Sequence, residues 1–146
     1  MFSILGELTG LRVLDLFAGS GALAIEALSR GALEATLVDS SATARTAIAR
    51  NLQTLGLEAE VSREPALRFL ERARAAARQY DLVFLDPPYR HASVLGGKLG
   101  DALVPVLAPE SRVVAESDRR EPLELDLPLQ DERRYGETLI RIHGPR

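Results

Sequence analysis

Short apolar runs alternate along this chain with stretches whose apolar residues recur every three or four positions, the pattern of strands and helices laid down in turn. The first run, Arg12 to Phe17, carries one carboxylate, Asp15, and is bounded by glycines, as a fully buried parallel strand is. Gly19 and Gly21 then predict a tight turn. Leu23, Ala24, Ala27 and Leu28 predict a helix from Ala22 to Arg30, closed by Gly31. A second strand is expected from Glu34 to Val38, with Asp39 at its end. Ser40 or Ser41 caps the next helix, whose inner stripe is Ala44, Ala47, Ile48, Leu52 and Leu55 up to Gly56. A short third strand from Ala59 to Ser62 precedes a helix that opens at Pro65 and buries Leu67, Leu70, Ala73 and Ala77.

The fourth strand, Asp81 to Leu85, runs into Asp86-Pro87-Pro88-Tyr89. A helix with Leu99, Leu103, Val104 and Leu107 ends before Pro109, and Ser111 to Glu116 forms a fifth strand. Beyond it Leu123, Leu125 and Leu127 alternate as in a strand, and Glu137 to His143 alternates around Leu139 and Ile142, so a hairpin-like ending is expected. Met1 to Leu11, with Phe2, Ile4, Leu5 and Leu8 at helical spacing, reads as a truncated helix or turn over one edge of the sheet. The whole is an α/β chain with a doubly wound, mostly parallel sheet and an antiparallel strand at one side, in one domain over 1–146.

The 146 residues are 46% hydrophobic and 27% charged, which suits one packed core. The absence of cysteine excludes disulfides, thiolate metal sites and a cysteine nucleophile. With only His91 and His143, no multi-histidine metal centre is expected. No run approaches a membrane span and the start lacks a signal-peptide pattern, so a cytoplasmic location, with no membrane partner, is the expectation. A net charge of -3 argues against indiscriminate phosphate binding. Lys98 is the sole lysine, so nearly all positive charge is arginine, which pairs bidentately with phosphate. The outer arginines Arg68, Arg72, Arg74 and Arg78 read as a solvated helix face, with RNA contact as the alternative.

Strand, glycine turn and helix N-terminus together make a nucleotide cradle, although such turns also occur where nothing binds. Asp39 lies at the distance where a carboxylate accepts from a ribose. Asp15 sits where a redox dinucleotide fold keeps an apolar residue. Asp86-Pro87-Pro88-Tyr89 leaves its strand with two backbone donors removed, an acceptor-only corner. The Asp86 carboxylate and the Pro87 carbonyl suit the two hydrogens of an exocyclic base amine, and Tyr89 suits its ring. A proline-rich exit loop with a packed tyrosine is the plainer alternative. Ligands in open α/β sheets sit where the strand order reverses, which here falls between strands one and four.

These residues resemble the class I S-adenosylmethionine-dependent amino methyltransferases, and more closely the RsmD-type enzymes that methylate the N2 amine of a guanine in 16S ribosomal RNA. The likeness rests on Phe2 to Leu5, Val13 to Ala32, Phe84 to Tyr89 and Arg133 to Thr138. It implies a Rossmann-like, seven-stranded sheet with an antiparallel last strand. It further implies that Asp15, Phe17, Ala18, Gly19, Gly21, Asp39 and Ser40 hold S-adenosylmethionine, and that Asp86, Pro87, Pro88 and Tyr89 hold the target base, Asp86 bordering both. The family usually has an aspartate followed by alanine after strand three. Here Glu64 and Pro65 stand there, so adenine contact is expected to pass to Glu64, to backbone or to water. The family's basic N-terminal extension is not matched, and Arg90, His91, Arg119, Arg120, Arg133 and Arg134 are the expected RNA contacts. A monomer without metal, acting on 16S ribosomal RNA or a small-subunit assembly particle, is implied. The alternatives are a DNA amino methyltransferase, a cofactor-binding module active only with a partner chain, and, more distantly, a nicotinamide-dependent oxidoreductase.

Overall fold

A computed structural model describes residues 1–88 and 92–146. Its elements run α1 (Phe2–Leu5), β1 (Arg12–Leu16), α2 (Ala22–Ser29), β2 (Glu34–Val38), α3 (Ala42–Leu55), β3 (Glu60–Ser62), α4 (Ala66–Ala75), β4 (Tyr80–Leu85), α5 (Ala92–Leu103), a 3-10 turn (Val104–Val106), β5 (Leu107–Asp118), β6 (Leu129–Tyr135) and β7 (Thr138–His143). The strands form one sheet in the order β3-β2-β1-β4-β5-β7-β6. The first five are parallel, β7 runs antiparallel to β5, and β6 antiparallel to β7. The order reverses between β1 and β4, as expected.

Residues alternating along each strand divide the core into two layers. Leu14, Leu16, Val83, Leu85, Val113 and Ala115 face α4 and α5. Val13, Leu82, Phe84 and Val114 face α1, α2 and α3. At the start of β1, Arg12 donates from its backbone N–H and its guanidinium to Asp81 at 2.8 to 3.1 Å, tying the two central strands together.

Several boundaries depart from the sequence pattern for local reasons. β1 stops at Leu16 because Phe17 turns into the left-handed region at φ 62°. Ser41, not Ser40, caps α3 by accepting from the Ala44 N–H. Leu55 belongs to no core, being 58% exposed at the last turn of α3. Phe69 takes the place expected of Ala77 inside α4, and Ala77 lies beyond the helix at φ 55°. β5 begins at Leu107, so Pro109 lies within a strand, at its start where no ladder donor is required of it.

The segment 123–127 is not a strand. Leu123, Leu125 and Leu127 are buried against α5 as an extended strap, and the partner of β7 is β6. Gly96 makes that crossing possible, because a Cβ there would stand 2.0 Å from the Glu124 carbonyl oxygen. His143 holds the strap's end: its Nδ1 lies 3.1 Å from the Leu127 carbonyl, which only accepts, so Nδ1 carries the hydrogen. α1 covers the middle of the sheet rather than an edge. Phe2 packs 5.9 Å from the Phe84 ring, since the central strands supply the apolar floor it needs.

Candidate active site

The C-terminal ends of β1, β2 and β4 open into a cleft of about 490 Å³, within the range of small-molecule sites. Phe17, Val38, Asp39, Ser40, Glu64, Pro65, Asp86, Pro87 and Pro88 line it, and Ala66, Leu67, Leu95 and Leu99 complete an apolar wall from α4 and α5. Seven site residues expected from the sequence, Phe17, Asp39, Ser40, Glu64, Asp86, Pro87 and Pro88, therefore meet in one space. Tyr89, Arg90 and His91 lie outside the described residues.

Asp15, Ala18, Gly19 and Gly21 sit beside the cleft and build its loop. Ala18 N–H donates to the Val38 carbonyl at 3.0 Å and Gly21 N–H to the Ala18 carbonyl at 2.8 Å, so the loop is fastened to the ends of β1 and β2. Gly21 has φ 82°, and a Cβ on it would stand 2.8 Å from Leu37 Cδ2, so both backbone and space require glycine. The Gly19 N–H donates to Asp39 Oδ2 at 3.0 Å and the Ser41 N–H to Oδ1 at 2.9 Å. Asp39 is thereby fixed between two loops.

Asp15 is buried, 3% exposed, directly beneath this loop. It accepts from the Ala24 N–H in the first turn of α2 at 3.3 Å. Burial raises its pKa to about 7, the Ala24 hydrogen bond opposes that, and the charges of Asp86 and Asp39 add to it. Asp86 is exposed at the cleft mouth, where partial desolvation by the surrounding walls raises its pKa to about 6, with the Glu116 charge adding to the effect.

Glu64 lines the cleft with its carboxylate already engaged. Arg72 donates to it from Nε at 3.0 Å and from Nη2 at 2.6 Å, and the Ser62 hydroxyl donates to Oε2. These bonds hold its pKa below the ordinary value. Arg119, Arg120, Arg133 and Arg134 lie where β5 ends and the β6–β7 hairpin turns, on the same end of the sheet as the cleft. Arg119 and Arg120 approach Glu137, Arg120 also pairs with Asp118, and Arg133 with Asp131.

The sequence reading missed the apolar wall of Leu95 and Leu99, whose four-residue spacing is its signal. It also missed Glu116, which ends the apolar run Val113-Val114-Ala115 just as Asp86 ends β4. Among the described residues no cluster suited to a metal ion occurs, and no helix is long and apolar enough to cross a membrane.

A glycine-looped, acid-ended Rossmann-like sheet of this order is the class I methyltransferase fold. A solved methyltransferase, SMU.776 complexed with SAH, superposes with TM-score 0.81 over 95% of this chain and 46% of its own at 16% identity, a likeness of fold. The chain belongs to the family described as Conserved hypothetical protein 95, which matches residues 1–144. It is 36% identical over its full length, and over 83% of the relative, to "Putative rRNA methyltransferase YlbH" of Bacillus subtilis. It is 34% identical to "Ribosomal RNA small subunit methyltransferase D" of Haemophilus influenzae, over 75% of this chain and 58% of that one. A solved conserved hypothetical protein from Streptococcus pyogenes superposes with TM-score 0.84 at 35% identity, covering 99% and 92% of the two chains.

Proposed function

We propose that this chain transfers a methyl group from S-adenosylmethionine to the exocyclic N2 amine of a guanine in small-subunit ribosomal RNA. The observation that carries the reading is the Asp86-Pro87-Pro88 corner opening into the same cleft as the Asp39-anchored glycine loop. The names of the relatives point to ribosomal RNA as the substrate class.

The residues present suit the cofactor. Asp39 offers acceptors to ribose hydroxyls, the apolar wall of Leu67, Leu95 and Leu99 suits an adenine ring, and buried Asp15 suits the cationic methionine end. Glu64, held by Arg72, is the polar group beside the adenine position. S-adenosylmethionine supplies a methyl group made electrophilic by a sulfonium.

A base amine is a weak nucleophile because its lone pair is delocalised into the ring. Asp86 and the Pro87 carbonyl accept its two hydrogens and favour a more tetrahedral nitrogen, freeing the lone pair for the methyl carbon. As the nitrogen–carbon bond forms, the carbon–sulfur bond breaks and the sulfur keeps its electrons. Positive charge gathers on the nitrogen, and the Asp86 carboxylate stabilises it until the surplus proton passes to solvent. In a site shielded from water such a fixed charge is worth about 3–4 kcal/mol.

Labelled S-adenosylmethionine incubated with small-subunit ribosomal RNA or its assembly particles tests the reading. The expected product is N2-methylguanosine, lost in Asp86→Ala. Methyl on a ring carbon or a ribose overturns it, and preference for duplex DNA favours a DNA amino methyltransferase instead.

A further inference from the structure

β4 and β5 are parallel neighbours in the register Phe84↔Val114 and Leu85↔Ala115. The next residues on each, Asp86 just past the end of β4 and Glu116 within β5, are both acids and follow neighbouring register positions. Glu116 lies opposite Ile140 of β7 and two residues after Val114, so by strand alternation it stands on the α1 and α2 side of the sheet. It is half-buried, and among the described residues it makes no hydrogen bond or ion pair. Its charge also raises the proton affinity of Asp86, as two carboxylates close enough to repel must do. Two carboxylates set at neighbouring register positions offer a row of acceptors to donors brought by a ligand.

The three nucleobases with an exocyclic amine differ in what stands beside it. In adenine and cytosine the adjoining Watson–Crick ring nitrogen is an acceptor, which a carboxylate repels. In guanine that nitrogen carries a hydrogen, so N1–H and the N2 amine form a continuous row of donors. One carboxylate suits any amine, whereas two side by side suit guanine alone.

Resting on the methyl-transfer reading above, we infer that Glu116 is the residue that selects guanine, its carboxylate accepting N1–H while Asp86 holds the N2 amine. Selection of this kind works because a wrong base leaves a carboxylate facing a lone pair instead of a donor.

The test compares wild type, Glu116→Ala, Glu116→Gln and Asp86→Ala, using labelled S-adenosylmethionine, transcribed small-subunit ribosomal RNA assembled into particles, and nucleoside mass spectrometry. Glu116→Ala is expected to lower kcat/KM about 100-fold, and Glu116→Gln, whose amide oxygen still accepts N1–H, only about 10-fold. Cofactor affinity by calorimetry and the melting temperature stay at wild-type values in the isosteric Gln variant. Methyl transfer to guanine that Glu116→Ala sustains at the wild-type rate overturns the role of Glu116 alone. Wild-type transfer to an adenine or cytosine amine overturns the selection of guanine while leaving the Asp86 chemistry intact. No transfer to any base amine overturns the methyl-transfer reading itself.

Discussion

The Asp39 carboxylate accepts from the Gly19 N–H at 3.0 Å, so the acid that ends β2 fastens the glycine loop that follows β1. One side chain thus shapes the loop and presents its remaining lone pairs to the cleft. Asp39→Ala removes both, and we expect it to weaken S-adenosylmethionine binding about 10- to 100-fold, read by calorimetry. Asp39→Asn, which keeps one acceptor, falls between the two.

Asp86 carries its stabilising charge, and offers acceptors alone, only when ionised, and its pKa is raised to about 6. The rate of methyl transfer is therefore expected to fall as pH drops through that value and to level off above it. Asp86→Ala removes the stabilising charge and lowers kcat by about 100- to 1,000-fold, measured with saturating cofactor.

Asp15 carries a pKa of about 7 in the fold against 3.8 when unconstrained. Between those values the folded chain binds more protons than the unfolded one, so stability is greatest below the lower value and declines as pH rises towards the upper. Asp15→Asn removes this slope, and the melting temperatures at pH 5 and pH 8 are expected to differ less than in wild type. A cationic ligand favours the ionised acid, so cofactor binding near pH 7 releases a proton. Calorimetry in buffers of different ionisation enthalpy reads that release directly.

Gly96→Ala forces its new methyl group against the Glu124 carbonyl at 2.0 Å, while Gly97 faces open space. We expect Gly96→Ala to destabilise by about 1–3 kcal/mol in urea unfolding and Gly97→Ala to be neutral or mildly stabilising. Because α5 carries Leu95 and Leu99 into the cleft, Gly96→Ala also weakens cofactor binding.

The parallel strands and the glycine loop were legible because most of the buried strands are short apolar runs followed by a glycine or an acid. Asp39 and Asp86 stand out at those points and line the cleft, and Asp15 stands out as the one carboxylate inside β1. The strap over 123–127 was not legible as such, because Leu123, Leu125 and Leu127 alternate like a strand while burying against a helix. What distinguishes them is that, among the described residues, no strand pairs with them, a tertiary property that no local pattern carries. Leu55 fits the stripe of α3 by spacing, yet as the helix's last residue it stays exposed. The engagement of Glu64 by Arg72, eight residues away, depends on how β3 meets α4 and likewise leaves no periodic trace.

β6 forms the outer border of the sheet, and its sequence there reads Asp131-Glu132-Arg133-Arg134. A foreign segment laid along this border would have to match charges of both signs in strict register and strip them of water. The border therefore disfavours the end-to-end sheet growth that leads to fibres, and a molecule with an unpaired rim of backbone groups keeps itself dispersed.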